Sequence, residues 1–241
     1  MSLAINYVPT LTTLAGSCLT TANWSALGVD KAAFCLASLC IRPGPQVLME
    51  FNNLRHYCAW PGKIILNLVA LLAAKTASGD FKIRSPYDGS YFTISIKEVF
   101  ALIDHLQPDY VVLPDNQWVL DFSKQAVNWQ VLQIGKNNNI AYWVDDLAQP
   151  DPCFPQDMTD ILWLESDRPA ADAMQGIYYG VTGNSNILDT VHSEEFIPLV
   201  DDCACPTCQQ GLTRAYLHHL LQHTPLLAQR FLIAHNVMRI K

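Results

Sequence analysis

The sequence predicts an α/β fold, in which short buried strands alternate with helices ahead of a cysteine-rich C-terminal segment. Three observations carry this. Apolar, β-rich runs recur without the in–out alternation of a half-exposed strand, as buried parallel strands do. Helical apolar spacing lies between several of them. Near the end, Cys203-Ala204-Cys205-Pro206-Thr207-Cys208 packs three thiols into six residues.

In chain order the strand candidates are 17–21, 33–38, 64–68, 110–113, 129–134, 140–144, 161–164 and 177–181. Residues 96–106 carry apolar positions at helical spacing. A shorter helix is expected over 169–175, with Pro169 at its start and Gly176 after its end. Strands alternating with helices predict a (β/α)8 barrel of TIM type. The spacing is uneven, and Gly135–Asn139 is too short to hold a crossover helix. The expectation is therefore a shortened or irregular barrel over residues 1–185, followed by a metal-binding segment with C-terminal helices over 186–241.

The chain has 241 residues, half of them hydrophobic and 15% charged, which is enough apolar material for a full core. The apolar run 64–74 is too short to span a bilayer and Asn67 interrupts it. The N-terminus lacks a basic stretch followed by an apolar signal core. The expectation is a cytoplasmic protein with no membrane partner. Cys18, Cys35, Cys40, Cys58 and Cys153 sit in apolar surroundings and read as buried free thiols. The net charge of −7 argues against a surface given over to nucleic acid. From Cys203 onward, however, Arg214, Arg230, Arg239 and Lys241 face no Asp or Glu, so an RNA or protein contact at that end stays open.

Three thiols this close cannot all pair with one another, and a tight loop strains a disulfide. A fourth ligand on a following helix would complete a closed tetrahedral Cys3His site, for which Zn2+ is the natural metal in a structural role. His218, His219 and His223 are nearer in sequence, but helical spacing points them in different directions. The ligand set read here is Cys203, Cys205, Cys208 and His235.

The run 203–236 resembles the C-terminal zinc segment of the tRNA-guanine transglycosylases. That family has a C-x-C-x-x-C cluster, an S-R-A-Y-L-H-H-L-like helix and a final H-N. Thr213-Arg214-Ala215-Tyr216-Leu217-His218-His219-Leu220 and His235-Asn236 match it. Earlier stretches resemble the family more weakly. Ile41–Leu48 is similar to its L-R-P-G loop, Phe81–Ser90 to its F-x-S-x-x-D-G-S hairpin, Asp109–Asp115 to a strand ending in D-E, and Asn186–Asp189 to I-N-I-R-N. The resemblance implies a (β/α)8 barrel with an inserted zinc subdomain, and a subunit interface built by the zinc segment. It also implies exchange of a guanine in tRNA for a deazaguanine, through a carboxylate nucleophile and a second carboxylate acting as acid and base.

The matched positions depart from that chemistry. Asn67-Leu68-Val69-Ala70-Leu71 stands where the family has D-S-G-G-F. Gly176–Gly183, aligned with the strand that carries the nucleophile, holds no acid. Asp115 remains at the position that reads the base, but with its companions missing it reads more readily as an ordinary turn or cap residue after Pro114. Asp145-Asp146 and Asp201-Asp202 read as solvated turns, while Tyr178, Tyr179 and Trp143 read as core more readily than as a stacking platform. The expectation is a transglycosylase-like chain without base-exchange activity, acting as a zinc-binding subunit with itself or with an active transglycosylase. The alternative is an active queuine tRNA-ribosyltransferase with displaced catalytic groups.

Overall fold

The computed structural model describes residues 5–114, 116–126, 128–137, 140–145 and 161–240. The first half runs β1 (Ile5–Val8), α1 (Thr21–Ala26), β2 (Lys31–Cys35), α2 (Leu36–Ile41), α3 (Pro45–Glu50), α4 (Leu54–Cys58), β3 (Lys63–Asn67) and α5 (Val69–Ala73). It continues through β4 (Phe81–Arg84), β5 (Tyr91–Ile94), α6 (Ile96–Leu106), β6 (Tyr110–Leu113) and α7 (Asn116–Gln125). Then come β7 (Gln130–Gln133), β8 (Gly135–Asn137), β9 (Ile140–Val144), β10 (Ile161–Glu165) and α8 (Arg168–Met174). The C-terminal part is β11 (Ile177–Tyr179), β12 (Asn184–Asn186), α9 (Pro206–Gln209), α10 (Arg214–His223) and α11 (Pro225–Ile240).

One sheet has the order β2-β3-β6-β7 and is parallel throughout. The other has the order β1-β10-β9-β8, parallel except that β8 runs antiparallel to β9. A parallel bridge between Thr10 and Ala33 links the two sheets just past β1. One side chain from each parallel strand meets in a common buried cluster of Val8, Ala33, Ile65, Val112, Leu132, Tyr142 and Trp163. Their neighbours along the strands, such as Leu66 and Val111, enter a larger cluster with Trp24, Leu36, Leu102 and Leu106 from the helices. Strands buried on both faces explain the continuous apolar runs of the sequence.

Helix α6 lies where the spacing predicts it, with Val99, Leu102, Ile103 and Leu106 buried. Ser95 caps it reciprocally with Glu98, which satisfies backbone donors at the first turn. Several elements differ from the sequence reading. Residues 17–21 are no strand: a short turn of helix over Gly16–Cys18 leads into α1, whose first turn is capped by the Thr20 hydroxyl. The run 33–38 splits, since β2 stops at Cys35 and α2 starts at once. β11 pairs antiparallel with β12 and joins neither parallel sheet, because Gly180 and Gly183 close a tight turn between them. β1 and α7 have no counterpart in the sequence reading. Among the described residues, no helix is long and apolar enough to cross a membrane. Cys18, Cys35, Cys40 and Cys58 are free thiols, and burial pushes Cys40 up to about 12.

Candidate metal centre

Helix α9 starts with Pro206, pre-set for a first helical turn, and Cys205 is its cap. The Cys205 sulfur accepts the Cys208 backbone N–H at 3.3 Å, so one helical turn holds these two sulfurs together. α11 then brings His235 back over the loop. Its Nδ1 lies 3.7 Å from Cys203 Sγ, 3.3 Å from Cys205 Sγ and 3.5 Å from Cys208 Sγ. All four donor atoms fall within 4.8 Å of one another. A tetrahedral ion about 2.3 Å from sulfur and about 2.0 Å from nitrogen spaces S and N roughly 3.5 Å apart, so the set fits a metal of that size.

The histidine tautomer suits a ligand. His235 Nε2 donates to the Tyr179 carbonyl at 3.0 Å, which leaves the Nδ1 lone pair directed at the sulfurs. The Cys208 thiol is lowered to about 4, first by hydrogen bonding with Cys205 and then with His235, against its burial. The nearer histidines are occupied elsewhere. His218 Nδ1 meets the Ile187 carbonyl at 2.7 Å, and the His219 and His223 rings pack on each other.

Asn236, the residue beside the histidine ligand, is fully buried. Its Oδ1 accepts from Tyr179 N, and its Nδ2 donates to the Pro169 and Ile177 carbonyls. His235 and Asn236 together clamp β11 to α11. Asn236→Ala is expected to lose about 2–4 kcal/mol, because it strands several buried backbone groups. Denaturant unfolding checks this, with metal content measured alongside.

The second polar cluster stands at the C-terminal ends of the parallel strands. Asn67 ends β3 and Glu165 ends β10. Asn67 Nδ2 donates to Glu165 Oε2 at 2.7 Å, Tyr142 OH donates to the same oxygen at 2.8 Å, and Thr10 Oγ1 donates to Oε1 at 2.9 Å. Burial is the leading influence on Glu165 and pushes its carboxyl up. Glu165 was not singled out from the sequence. The resemblance places the family's nucleophile strand at 176–183, but the β11–β12 pair there is antiparallel and joins neither larger sheet, whereas β10 ends in a carboxylate. The alternation Leu162, Leu164 against Trp163, Glu165 at a strand end was the available signal.

Asp145 is no solvated turn. Its side chain is 1% exposed, bonded by Arg168 through Nε and Nη2 at 2.9 Å each and by Ser166 Oγ at 2.6 Å. Asp115 and Asp146 lie outside the described residues. Asp201 and Asp202 occupy an exposed turn. Tyr178 and Tyr179 are buried, with the Tyr179 hydroxyl on Asp172, and Trp143 is half-buried.

The family profile described as queuine tRNA-ribosyltransferase matches residues 160–241. A queuine tRNA-ribosyltransferase of Dictyoglomus turgidum is 36% identical over 69 residues, 29% of this chain and 18% of that protein. A queuine tRNA-ribosyltransferase accessory subunit 2 of Ixodes scapularis is 48% identical over 46 residues, 19% of this chain and 11% of its own length. A queuine tRNA-ribosyltransferase of Thermoanaerobacter sp. is 25% identical over 122 residues, 44% of this chain and 32% of that protein. The chain thus spans a third or less of these relatives. Residues 160–241 of this chain are similar to the queuine tRNA-ribosyltransferase family.

Proposed function

We propose that this chain is a zinc-binding, non-catalytic subunit or binding protein of queuosine-type tRNA modification. Its parallel strands form a shortened barrel over residues 1–185, and residues 186–241 form the zinc segment. Cys203, Cys205, Cys208 and His235 hold one structural Zn2+. Four protein donors leave no open position, so the ion supplies folding free energy and no Lewis acid.

The observation that carries the loss of exchange is Glu165. Both its oxygens are taken up by Thr10, Asn67 and Tyr142, and the side chain is buried. A carboxylate in that state is a structural acceptor, and fold alone does not carry the chemistry. Relatives named as accessory subunits of queuine tRNA-ribosyltransferase favour the same reading. Glu165 also favours a second one. It stands at the strand end where a barrel enzyme keeps a reacting acid. If Asn67 and Tyr142 release it, it could attack the ribose, with Asp115 reading the base. Guanine exchange into tRNA, measured on the protein alone and on Glu165→Gln, separates the two.

The partner is a second copy or an active transglycosylase, met at the zinc end. The apolar face of α10 does not provide this contact, because Leu217, Leu220 and Leu221 are buried and only Tyr216 of that group is exposed. Phe196 at 78%, Leu226 at 78% and Val191 at 63% exposure are the most open apolar side chains there among the described residues, with Ile197, Tyr216, Leu188 and Leu227 also exposed. Light scattering is expected to show a dimer, or a complex with the active enzyme, that weakens roughly tenfold or more with Phe196→Glu while zinc stays bound. A strict monomer that ignores the active enzyme would remove the subunit assignment.

A further inference from the structure

We propose that His219 and His223 of α10 chelate a further divalent transition-metal ion, Ni2+ or Cu2+, at the surface and apart from the Cys3His set. The claim stands on this pair alone and is independent of whether the chain exchanges a base. The chain has seven histidines. Four have ring nitrogens engaged: His105 on the Phe51 carbonyl, His192 on Glu195, His218 on the Ile187 carbonyl and Gln222, and His235 among the sulfurs. His56 is exposed, with its ring 6.1 Å from that of Phe51. His219 and His223 remain, and they stand together. Both are exposed, and among the described residues neither ring has a hydrogen-bond partner.

The helix makes the pair. Residues four apart in an α-helix lie one above the other on the same face. Ala215, Leu217, His218, Leu220 and Leu221 turn inward, so His219 and His223 share the outer face of α10 with Tyr216. Their ring centroids are 4.4 Å apart, with 44° between the planes. Two imidazoles bound to one ion at about 2.0–2.1 Å and at a right angle have centroids roughly 4.5 Å apart. The pair therefore already has the separation of adjacent ligands on one ion. Right angles between nitrogen donors belong to square-planar and tetragonal ions, which selects Cu2+ and Ni2+ over tetrahedral Zn2+.

The position favours a cation as well. His219 and His223 occupy the last turn of α10, where the helix dipole stabilises positive charge. Arg214, the one Lys or Arg of this helix, lies at the opposite end. It is held there by Glu195 and by the Pro198 and Leu199 carbonyls. Two protein donors leave positions on the ion open to water, in contrast to the closed four-donor set. Ring packing alone would give the same contact without an ion, and metal uptake separates the two.

The test is a calorimetric nickel titration of the full, zinc-loaded chain, with zinc and nickel both measured after desalting. One Ni2+ per chain is expected beyond the zinc, with the zinc retained. His219→Ala and His223→Ala each turn a chelate into a single imidazole, which should weaken nickel binding by about a hundredfold or more. His56→Ala should leave it unchanged. Electron paramagnetic resonance of the copper-loaded chain should show two nitrogen ligands. Both rings are exposed, and unchanged circular dichroism and zinc content confirm that the variants fold. No nickel uptake beyond the zinc, uptake matched by zinc release, a single nitrogen on copper, or either variant binding like the parent would each overturn the proposal.

Discussion

Cys205→Ser should release the metal and unfold the C-terminal segment. A hydroxyl is a poor substitute for a thiolate on Zn2+, and Cys205 also caps α9 through its sulfur. Structural zinc of this kind contributes apparent binding free energies of about 10–16 kcal/mol in small domains, so its loss outweighs any single contact in the segment. The damage should spread. Leu217, Leu232, Ile233 and Val237 of α10 and α11 belong to the same buried cluster as Trp24 and Leu36. Metal analysis of the parent should give about one zinc per chain, and a strong chelator should reproduce the mutant. Native stability and full zinc content in Cys205→Ser would show that the four donors do not act as a site.

Glu165→Ala should cost about 3–5 kcal/mol, because it leaves Thr10, Asn67 and Tyr142 without their common acceptor in a buried place. Glu165→Gln should be far milder, since an amide can accept from Asn67 and Tyr142 and meet the Thr10 hydroxyl. The pH dependence separates them further. The folded pKa of Glu165 is raised, chiefly by burial, so the folded state binds a proton that the unfolded state releases. Its contribution is intact below the unfolded pKa of about 4.3, and stability falls as pH rises from there toward the folded value. Glu165→Gln should remove that part of the slope. Chemical denaturation at several pH values checks both the size and the sign.

What the sequence revealed and what it hid have physical causes. The four-donor cluster was legible because three thiols in six residues and a distant histidine admit few other arrangements. β6 and β9 were legible because strands buried on both faces are continuous apolar runs, and α6 because its period and its Ser95 cap agree. Residues 17–21 misled because a short apolar stretch carries no period of its own, and the Thr20 cap decided for a helix. β11 misled because its direction depends on the turn between Gly180 and Gly183, not on its composition. Glu165 stayed hidden because its partners, Thr10, Asn67 and Tyr142, come from three other strands or their ends and meet only when the sheets form. Asp145 was misjudged for the same reason, its partner Arg168 lying beyond the next strand.

Under the proposed function, the scaffold is kept without its exchange chemistry. The most direct measurement is incorporation of labelled guanine into tRNA by the purified, zinc-loaded chain, followed by a denaturing gel for a covalent RNA–protein adduct. The account predicts no incorporation above the uncatalysed background and no adduct, with activity appearing only when an active transglycosylase is added. Incorporation by the chain alone, with an adduct that Glu165→Gln abolishes, would contradict it and make Glu165 the nucleophile.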